Sequence, residues 1–173
     1  MDLLQQLQLL YKRLSSKKRQ KFNRRVSFGD LVTDRWEIAK ECGFGENSSC
    51  YDNVLILGDV VVGKNCWIGP NVVLDGSGGL KIGDYVTISA GTHIYSHDTV
   101  NWTISMGKDQ YDYAPTRIGN GVYIGPNSII EKGVELGDRV VIGAGSFVNR
   151  DFPEGSRAYG SPARCQPPSK SPS

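Results

Sequence analysis

Aliphatic side chains recur at every sixth position over more than half of the chain. The thirteen members of this series are Ile56, Val62, Ile68, Leu74, Ile82, Ile88, Ile94, Ile118, Ile124, Ile130, Leu136, Ile142 and Val148. Gly directly follows seven of them, and a small or β-branched side chain usually stands four positions after each. A period of six fits neither an α-helix nor a plain β-strand. It is typical of a parallel β-helix, in which three hexapeptides form one triangular coil.

The same pattern predicts how such a coil would be stabilised. Each hexapeptide contributes a short strand and a corner, and the inward aliphatic side chain stacks on its equivalents about 4.8 Å above and below. Gly permits the tight corner because it has no Cβ. Stacked repeats bury a continuous apolar column that one repeat alone cannot bury. A β-sandwich would instead show alternation with a period of two. We therefore predict an all-β fold, with a hexapeptide-repeat β-helix domain at residues 46–165.

The residues before the repeat, 1–45, are predicted to be helical. Within residues 1–27, four leucines fall on one face of a helix, namely Leu3, Leu7, Leu10 and Leu14. Eight of the twenty basic residues lie between Lys12 and Arg25. Such a basic amphipathic helix would lie on an anionic membrane surface or a polyanion. Alternatively, it would pack on its own β-helix or a neighbouring subunit and expose its basic face.

A second, shorter helix is predicted from Arg35 to Cys42. Asp34 and Glu37 have the spacing of a capping box, and Gly43 suits the carboxyl end of a helix. At the other end of the chain, residues 166–173 are rich in Pro, Ser and Lys. We predict that this tail is disordered.

The period is interrupted between Ile94 and Ile118, where polar and aromatic residues replace aliphatics and Gly. This segment predicts one loop, at about residues 98–115, extruded from a corner of the β-helix. A rigid scaffold that carries one aromatic-rich loop is a common way to build a site. Both histidines of the chain, His93 and His97, stand at the start of this loop.

Composition and charge narrow the class of protein. The chain has 173 residues and a formal net charge of +2, too small to indicate a nucleic-acid-binding protein by itself. No apolar run approaches the roughly 20 residues needed to cross a bilayer, and residues 1–16 do not resemble a signal peptide. The four cysteines lack C-x-x-C spacing, which argues against a zinc knuckle or a redox pair. We expect one cytoplasmic domain with reduced thiols.

His97 is the candidate catalytic residue. Because histidine titrates near neutral pH, it can accept a proton from a hydroxyl or amine nucleophile and return it. Either Asp98 or a backbone carbonyl would orient the other ring nitrogen, although adjacent residues of an extended segment usually point to opposite sides. His93 falls at an outward position of its repeat, and we assign it no role.

Three segments resemble one family in the order expected for it. The repeats from about Leu57 to Val148 are similar to the left-handed β-helix acyltransferases with hexapeptide repeats, a group that includes galactoside, maltose, xenobiotic and polysaccharide acetyltransferases. Residues 88–99 resemble the strand that ends in the family's catalytic His, and residues 142–153 resemble its last coil. Residues 160–164, Gly-Ser-Pro-Ala-Arg, resemble its closing motif.

The resemblance implies a left-handed coil and a homotrimer with active sites in the grooves between subunits. It further implies that acetyl-CoA is the acyl donor and that His97 is the general base. On the family's motifs, Ala144 would line the pantetheine channel, while Asn149, Arg150 and Arg164 would serve the nucleotide end. Two positions depart from the family: Asn149-Arg150 stands where Thr-Lys is frequent, and Pro126 stands where some relatives have a cofactor-contacting Ser.

The acceptor is less constrained. Trp102, Tyr111 and Tyr113 would stack on a sugar ring, or they would fold the loop onto the next subunit. In the first case Asp109 and Asp112 would accept hydrogen bonds from the sugar hydroxyls, and Asp98 would also contact the acceptor. Polysaccharide members carry a His-Asp followed by a Trp-containing loop, which favours transfer of an acetyl group to a sugar hydroxyl. The alternatives are N-acetylation of an amino-sugar and a non-catalytic scaffold subunit.

A hexapeptide-repeat metalloenzyme resembling the γ-class carbonic anhydrases is disfavoured. Those enzymes hold zinc with three histidines, and this chain has two, so a third ligand would have to be a Cys. We therefore expect no metal.

Overall fold

The computed structural model describes residues 1–165; the predicted disordered tail, 166–173, lies outside the described residues. The helices are α1 (Leu3–Phe22), α2 (Gly29–Val32), α3 (Arg35–Glu41) and α4 (Val100–Ile104). The strands are β1 (Ser49–Cys50), β2 (Leu55–Val62), β3 (Trp67–Ile68), β4 (Val73–Ile82), β5 (Thr87–Ile88), β6 (His93–Ile94), β7 (His97–Asp98), β8 (Asp112–Tyr113), β9 (Thr116–Ile118), β10 (Tyr123–Ile124), β11 (Ile129–Ile130), β12 (Glu135–Leu136), β13 (Val141–Ile142), β14 (Phe147–Val148), β15 (Arg157–Gly160) and β16 (Ala163–Cys165).

The short strands stack in parallel into three faces of a triangular prism. Face 1 consists of β1, β3, β5, β10, β13 and β15. Face 2 consists of the first parts of β2 and β4, followed by β6, β11 and β14. Face 3 consists of the second parts of β2 and β4, followed by β9 and β12. In the regular region, paired strands are eighteen residues apart, as for Tyr123 and Val141. One coil is therefore three hexapeptides, as the sequence predicted.

The aliphatic series forms the core of the prism. Twelve of its thirteen members are buried, and Ile56 is half-buried at the amino-terminal end. The Ser and Thr residues that stand four positions after members of this series are buried too, and their hydroxyls donate to backbone carbonyls. Thr92 Oγ1 lies 3.1 Å from Gly125 O, and Ser128 Oγ lies 3.0 Å from Gly143 O. The predicted hexapeptide-repeat β-helix is confirmed.

Two coils are longer than eighteen residues. Leu74 pairs with Ile94, twenty residues later, because β4 contains two additional residues around Gly76. An added Cβ at Gly76 would stand only 2.2 Å from Asp59 O, so the extra residues pass close to the previous coil. The next coil spans 36 residues, since His93 pairs with Ile129. This coil contains the loop, whose length equals one complete coil, and the aliphatic series therefore resumes in phase after it.

The loop has more structure than the sequence predicted. Its base is a short antiparallel pair of β7 and β8, in which His97 faces Tyr113 and Asp98 faces Asp112. The five-residue helix α4 lies between these strands. The single extruded loop is confirmed, but its helix was not anticipated because five residues are too few to show a repeating helical pattern.

The β-helix also extends beyond the aliphatic series at both ends. Cys50 occupies the inward position of the first coil and is 1% exposed. Beyond Val148, Phe152 and Ala158 fill the inward positions at 3% and 2% exposure. These positions do not continue the aliphatic series of period six, because Cys50 is not aliphatic, Phe152 follows Val148 after only four residues, and Ala158 is small.

At the amino terminus, α1 ends at Phe22 rather than at residue 27. Asn23 adopts a left-handed conformation (φ 50°), and its N–H bonds Arg19 O, which terminates the helix. The capping box of Asp34 and Glu37 begins α3 as predicted. Ala39 of α3 is buried and closes the first coil. In contrast, α1 has no buried residue, so it does not bury its leucines on its own β-helix.

Candidate active site

His97 lies at the corner that follows face 2, where the chain leaves the β-helix and enters the loop. Its ring Nδ1 is 2.5 Å from Oδ2 of Asp75, a residue of the preceding coil. The Asp75 side chain is 0% exposed, whereas the His97 side chain is 25% exposed. The structure therefore pairs His97 with the buried carboxylate of Asp75. The sequence had suggested Asp98 or a backbone carbonyl for this role.

Several donors converge on the Asp75 carboxylate. Oδ2 accepts from the backbone N–H groups of Ser96 (3.0 Å) and His97 (3.2 Å), and Oδ1 accepts from the N–H of Ser77 (3.0 Å). Burial raises the pKa of Asp75, but hydrogen bonds from the Ser77 side chain, the backbone of Ser96 and Ser77, and the His97 ring outweigh burial and lower the pKa to about 2. Asp75 is therefore ionised at neutral pH.

The ionised state of Asp75 fixes the tautomer of His97. A carboxylate only accepts hydrogen bonds, so the proton of a neutral His97 ring must sit on Nδ1. Nε2 then carries the free lone pair. This is the arrangement that a general base requires.

Sequence reasoning missed Asp75 although a signal was present. Asp75 directly follows Leu74, at a position where seven other repeats have Gly. It also stands at the two-residue slip of the aliphatic series. An acidic residue at an irregular corner could have indicated a functional site. Only the stacking of coils shows that Asp75 lies beside His97.

Asp98 makes a different contact. Its carboxylate lies 3.2 Å from Nζ of Lys132, and the same Nζ lies 2.5 Å from Asp112 Oδ2. The pKa of Asp98 is lowered by the backbone N–H of Val100 and by Lys132. The pKa of Lys132 is raised, chiefly by its hydrogen bond to Asp112. Lys132 thus clamps both strands of the loop base onto the next coil.

The loop aromatics form a row that starts at His97. The Tyr113 ring stacks on His97 with centroids 5.8 Å apart, and Tyr111 lies 6.5 Å from Tyr113. Trp102 meets Tyr111 edge to face at 5.7 Å. All three aromatic side chains remain substantially exposed, between 41% and 54%. The three predicted acceptor-binding aromatics are therefore brought together beside His97.

The four predicted cofactor-binding residues are exposed and lie at three places on the prism. Asn149 and Arg150 follow β14 at the same corner as His97, two coils further along. Ala144 lies at the opposite corner of face 2, one coil beyond Pro126. Arg164 lies in β16, which pairs antiparallel with β15. One chain does not unite Ala144 with His97, because the whole of face 2 separates their corners.

Residues 1–165 show neither a metal centre nor a membrane span. No group of three or more His, Cys, Asp or Glu side chains in this range is placed to ligate a metal ion. No helix in the same range combines the length and the hydropathy needed to cross a membrane.

Comparison with known proteins identifies the repeats. Residues 115–150 match the family described as bacterial transferase hexapeptide (six repeats), and residues 59–96 match the hexapeptide repeat of succinyl-transferase. The galactoside O-acetyltransferase of Escherichia coli is 34% identical over 122 residues, which cover 69% of this chain. The chain spans about half the length of that relative, 50%.

Solved structures agree with the fold. A galactoside acetyltransferase in complex with coenzyme A is 25% identical, with a TM-score of 0.67 over 96% of this chain and 84% of that chain. A point mutant of AntD, an N-acyltransferase from Bacillus cereus solved with dTDP and coenzyme A, is 26% identical, with a TM-score of 0.65 over 72% of this chain and 71% of that one. The chain belongs to the left-handed β-helix acyltransferases with hexapeptide repeats.

Proposed function

We propose that the protein transfers an acetyl group from acetyl-CoA to a hydroxyl of a sugar or polysaccharide precursor, a reaction of class EC 2.3.1. The observation that carries this proposal is the His97–Asp75 pair at the open base of the loop. It provides an oriented general base in a fold whose relatives bind coenzyme A. The four free cysteines fit the cytoplasmic location that we propose with it.

The proposed reaction is a direct transfer. The acceptor oxygen attacks the thioester carbonyl carbon while His97 Nε2 takes the hydroxyl proton. The resulting imidazolium is stabilised by the ionised Asp75 at Nδ1. A backbone N–H would stabilise the tetrahedral oxyanion. When the C–S bond breaks, the leaving thiolate of CoA recovers the proton from His97, and the enzyme returns to its starting state.

The donor site is proposed to form between subunits of a homotrimer. The outward row of face 2 is mostly apolar: it consists of Leu55, Val73, Ile129 and Phe147, with His93 as its one polar member. The outward row of face 3 begins with Val61 but is charged from there on, with Lys81, Arg117 and Glu135 in register. Association through face 2 would place Ala144 of one subunit near His97 of its neighbour. Asn149, Arg150 and Arg164 would then meet the nucleotide end of acetyl-CoA, the arginines pairing with phosphate.

The aromatic row and its charges support a sugar hydroxyl as the acceptor. Exposed aromatic rings beside the base offer apolar faces on which a sugar ring can stack. Asp98 and Asp112, the two carboxylates at the loop base, share the single cation of Lys132, so they attract an ammonium group less than two unpaired carboxylates would. N-acetylation of an amino-sugar is the alternative, and AntD is an N-acyltransferase. Folding of the loop onto the next subunit is the alternative role of the aromatics.

Titration with coenzyme A and a His97→Ala variant test the proposal. We expect the wild type to bind coenzyme A saturably at one site per chain. We expect His97→Ala to turn over acetyl-CoA with a sugar acceptor about 10²- to 10⁴-fold more slowly. The variant should keep its affinity for coenzyme A and its oligomeric mass. Arg117→Ala, on face 3, is the surface control and should keep full turnover. No binding of coenzyme A would favour the scaffold alternative, and full activity of His97→Ala would refute the catalytic assignment.

A further inference from the structure

The formal charge of the chain is divided unevenly between its two parts. Residues 1–28 contain eight basic residues and one acidic residue, a formal charge of +7. The remaining residues contain twelve basic and seventeen acidic residues, a formal charge of −5. The proposed acetyl transfer makes no use of this basic segment.

Part of this charge lines a cleft between α1 and the segment 24–31. The cleft has a volume of about 530 Å³, and none of the residues among 1–165 that line it is acidic. Its polar lining consists of Lys12, Ser15, Ser16, Arg19, Gln20, Arg24 and Arg25. Within residues 1–165, none of its four cations forms an ion pair. Asp30 and Asp34 line a neighbouring cleft that shares Arg24. The cationic cleft is thus built for an anion that residues 1–165 do not supply.

An apolar groove adjoins the cationic cleft. The groove, of about 460 Å³, is lined by Leu7, Gln8, Tyr11, Lys12 and Phe28. Tyr11 and Lys12 border both spaces, so the apolar and cationic surfaces are continuous. Beyond the groove, Leu3 and Leu4 are 81% and 63% exposed. Side chains this apolar rarely lie together in water without an occupant.

We propose that α1 and the segment 24–31 form a docking surface for a bilayer of anionic phospholipid. The phosphate headgroups would enter the cationic cleft, and the leucines of the first half of α1 would insert among the acyl chains. This is how basic amphipathic helices bind in the plane of a membrane interface. Charge complementarity selects the occupant, since the surface combines an apolar groove with cations that form no ion pair within the described part of the chain.

Two other occupants fit these observations less well. A nucleic acid would pair with the cations but would leave the exposed leucines in water. A second copy of this chain would need an apolar surface that also carries free carboxylates. The apolar row of face 2, from Leu55 to Phe147, contains no carboxylate. The corner aspartates Asp84 and Asp138 follow face 3, each accepts a backbone N–H, and neither lies on face 2.

Sedimentation of the full chain with vesicles tests the proposal. We expect binding to vesicles of phosphatidylcholine with phosphatidylglycerol, weakening as salt rises, and no binding to phosphatidylcholine alone. Because each basic residue near such a surface contributes roughly five-fold in affinity, Arg24→Gln/Arg25→Gln should bind about 25-fold more weakly. Leu3→Gln/Leu7→Gln should also weaken binding, at unchanged charge. Lys81→Gln/Arg117→Gln removes two cations from face 3 and should bind as the wild type does.

Four results would overturn the proposal. The first is no binding of the wild type to anionic vesicles, and the second is equal weakening by the face 3 control, which would mean that net charge alone acts. The third is tight calorimetric binding of inorganic pyrophosphate without any effect of Leu3→Gln/Leu7→Gln on vesicle binding, which would indicate a site for soluble anions. The fourth is loss of self-association, rather than of vesicle binding, in Arg24→Gln/Arg25→Gln, which would identify a second copy as the occupant.

Discussion

At the scale of single residues, Asp75 decides the chemistry of the candidate site. A buried carboxylate is costly unless hydrogen bonds and a partner compensate for its lost hydration. Here backbone N–H groups of Ser77, Ser96 and His97, together with the imidazole, provide that compensation. Four donors around one side chain explain how a carboxylate remains charged at the edge of an apolar column.

The lowered pKa of Asp75 predicts a stability that depends on pH. Since the pKa in the folded chain is about 2 against an ordinary value of 3.8, the contribution of Asp75 is complete above about pH 5 and is lost as the pH falls towards 2. The loss amounts to about 2 kcal/mol of unfolding free energy. Urea denaturation of the wild type and of Asp75→Asn at pH 5 and pH 2 measures it. The difference between the two proteins should shrink by this amount, and a constant difference would contradict the assignment.

The cysteines provide a second residue-scale prediction. Burial raises the pKa of Cys50 to about 12, and burial also raises the pKa of Cys66. Both thiols stay protonated and inaccessible in the folded chain. N-ethylmaleimide at pH 7.5 should therefore label the exposed Cys42 and Cys165 first. Cys50 and Cys66 should react only after unfolding, as followed by mass spectrometry; early labelling of either would show that the first coils open.

At the scale of elements, the loop depends on its attachment to the next coil. The strands β7 and β8 pair over only two residues each, which is too short to hold a loop of about eighteen residues by itself. Lys132 adds two ion pairs, one to each strand, and is itself 17% exposed on its side chain. Because His97 is part of β7 and stacks on Tyr113 of β8, this clamp also positions the base.

We therefore predict that Lys132 is a positioning residue. Lys132→Met should lower kcat by about 10- to 100-fold, since misplacing a catalytic group by about 1 Å has effects of this size. The KM for acetyl-CoA should not change. Lys132→Arg, which keeps the charge, should restore most of kcat. If Lys132→Met lowers only the thermal stability, or if Lys132→Arg is as impaired as Lys132→Met, the clamp does not position His97.

At the scale of the whole molecule, the three faces of the prism differ in what they offer to a partner. The outward row of face 3 is mainly charged, whereas that of face 2 is mainly apolar, with Leu55 51% and Ile129 41% exposed. Face 2 also separates the corners that carry His97 and Ala144. The proposed site is therefore complete only if a second subunit covers this face.

Disruption of face 2 should separate the subunits and remove activity together. Ile129→Glu places an unpaired charge in the middle of the apolar row, and we expect at least about 100-fold weaker association. Arg117→Glu, which also introduces a carboxylate but on face 3, is the control and should leave association intact. Analytical ultracentrifugation gives the oligomeric mass, and turnover of acetyl-CoA gives the activity. An active Ile129→Glu monomer would show that the site needs no neighbouring subunit.

Most of the fold was predictable because its stability is local and periodic. The inward position of each hexapeptide is apolar whatever the partner coil is, so the aliphatic series identified the β-helix directly. The capping box of Asp34 and Glu37 identified the start of α3 equally well, since capping involves residues three apart. The extruded loop was found as an absence of the pattern, and His97 was found because it stands where that absence begins.

Tertiary structure alone decided which side chains meet. Asp75 is twenty-two residues from His97 in sequence, and their contact depends on a two-residue insertion that shifts one corner of the coil. Lys132 reaches Asp98 only because the loop returns the chain to the same corner one coil later. The sequence by itself determined the repeat, the core and the candidate base, because these depend on the type of residue at fixed spacing. Stacking determined the partner of that base, because it brings together corners that spacing along the chain does not relate.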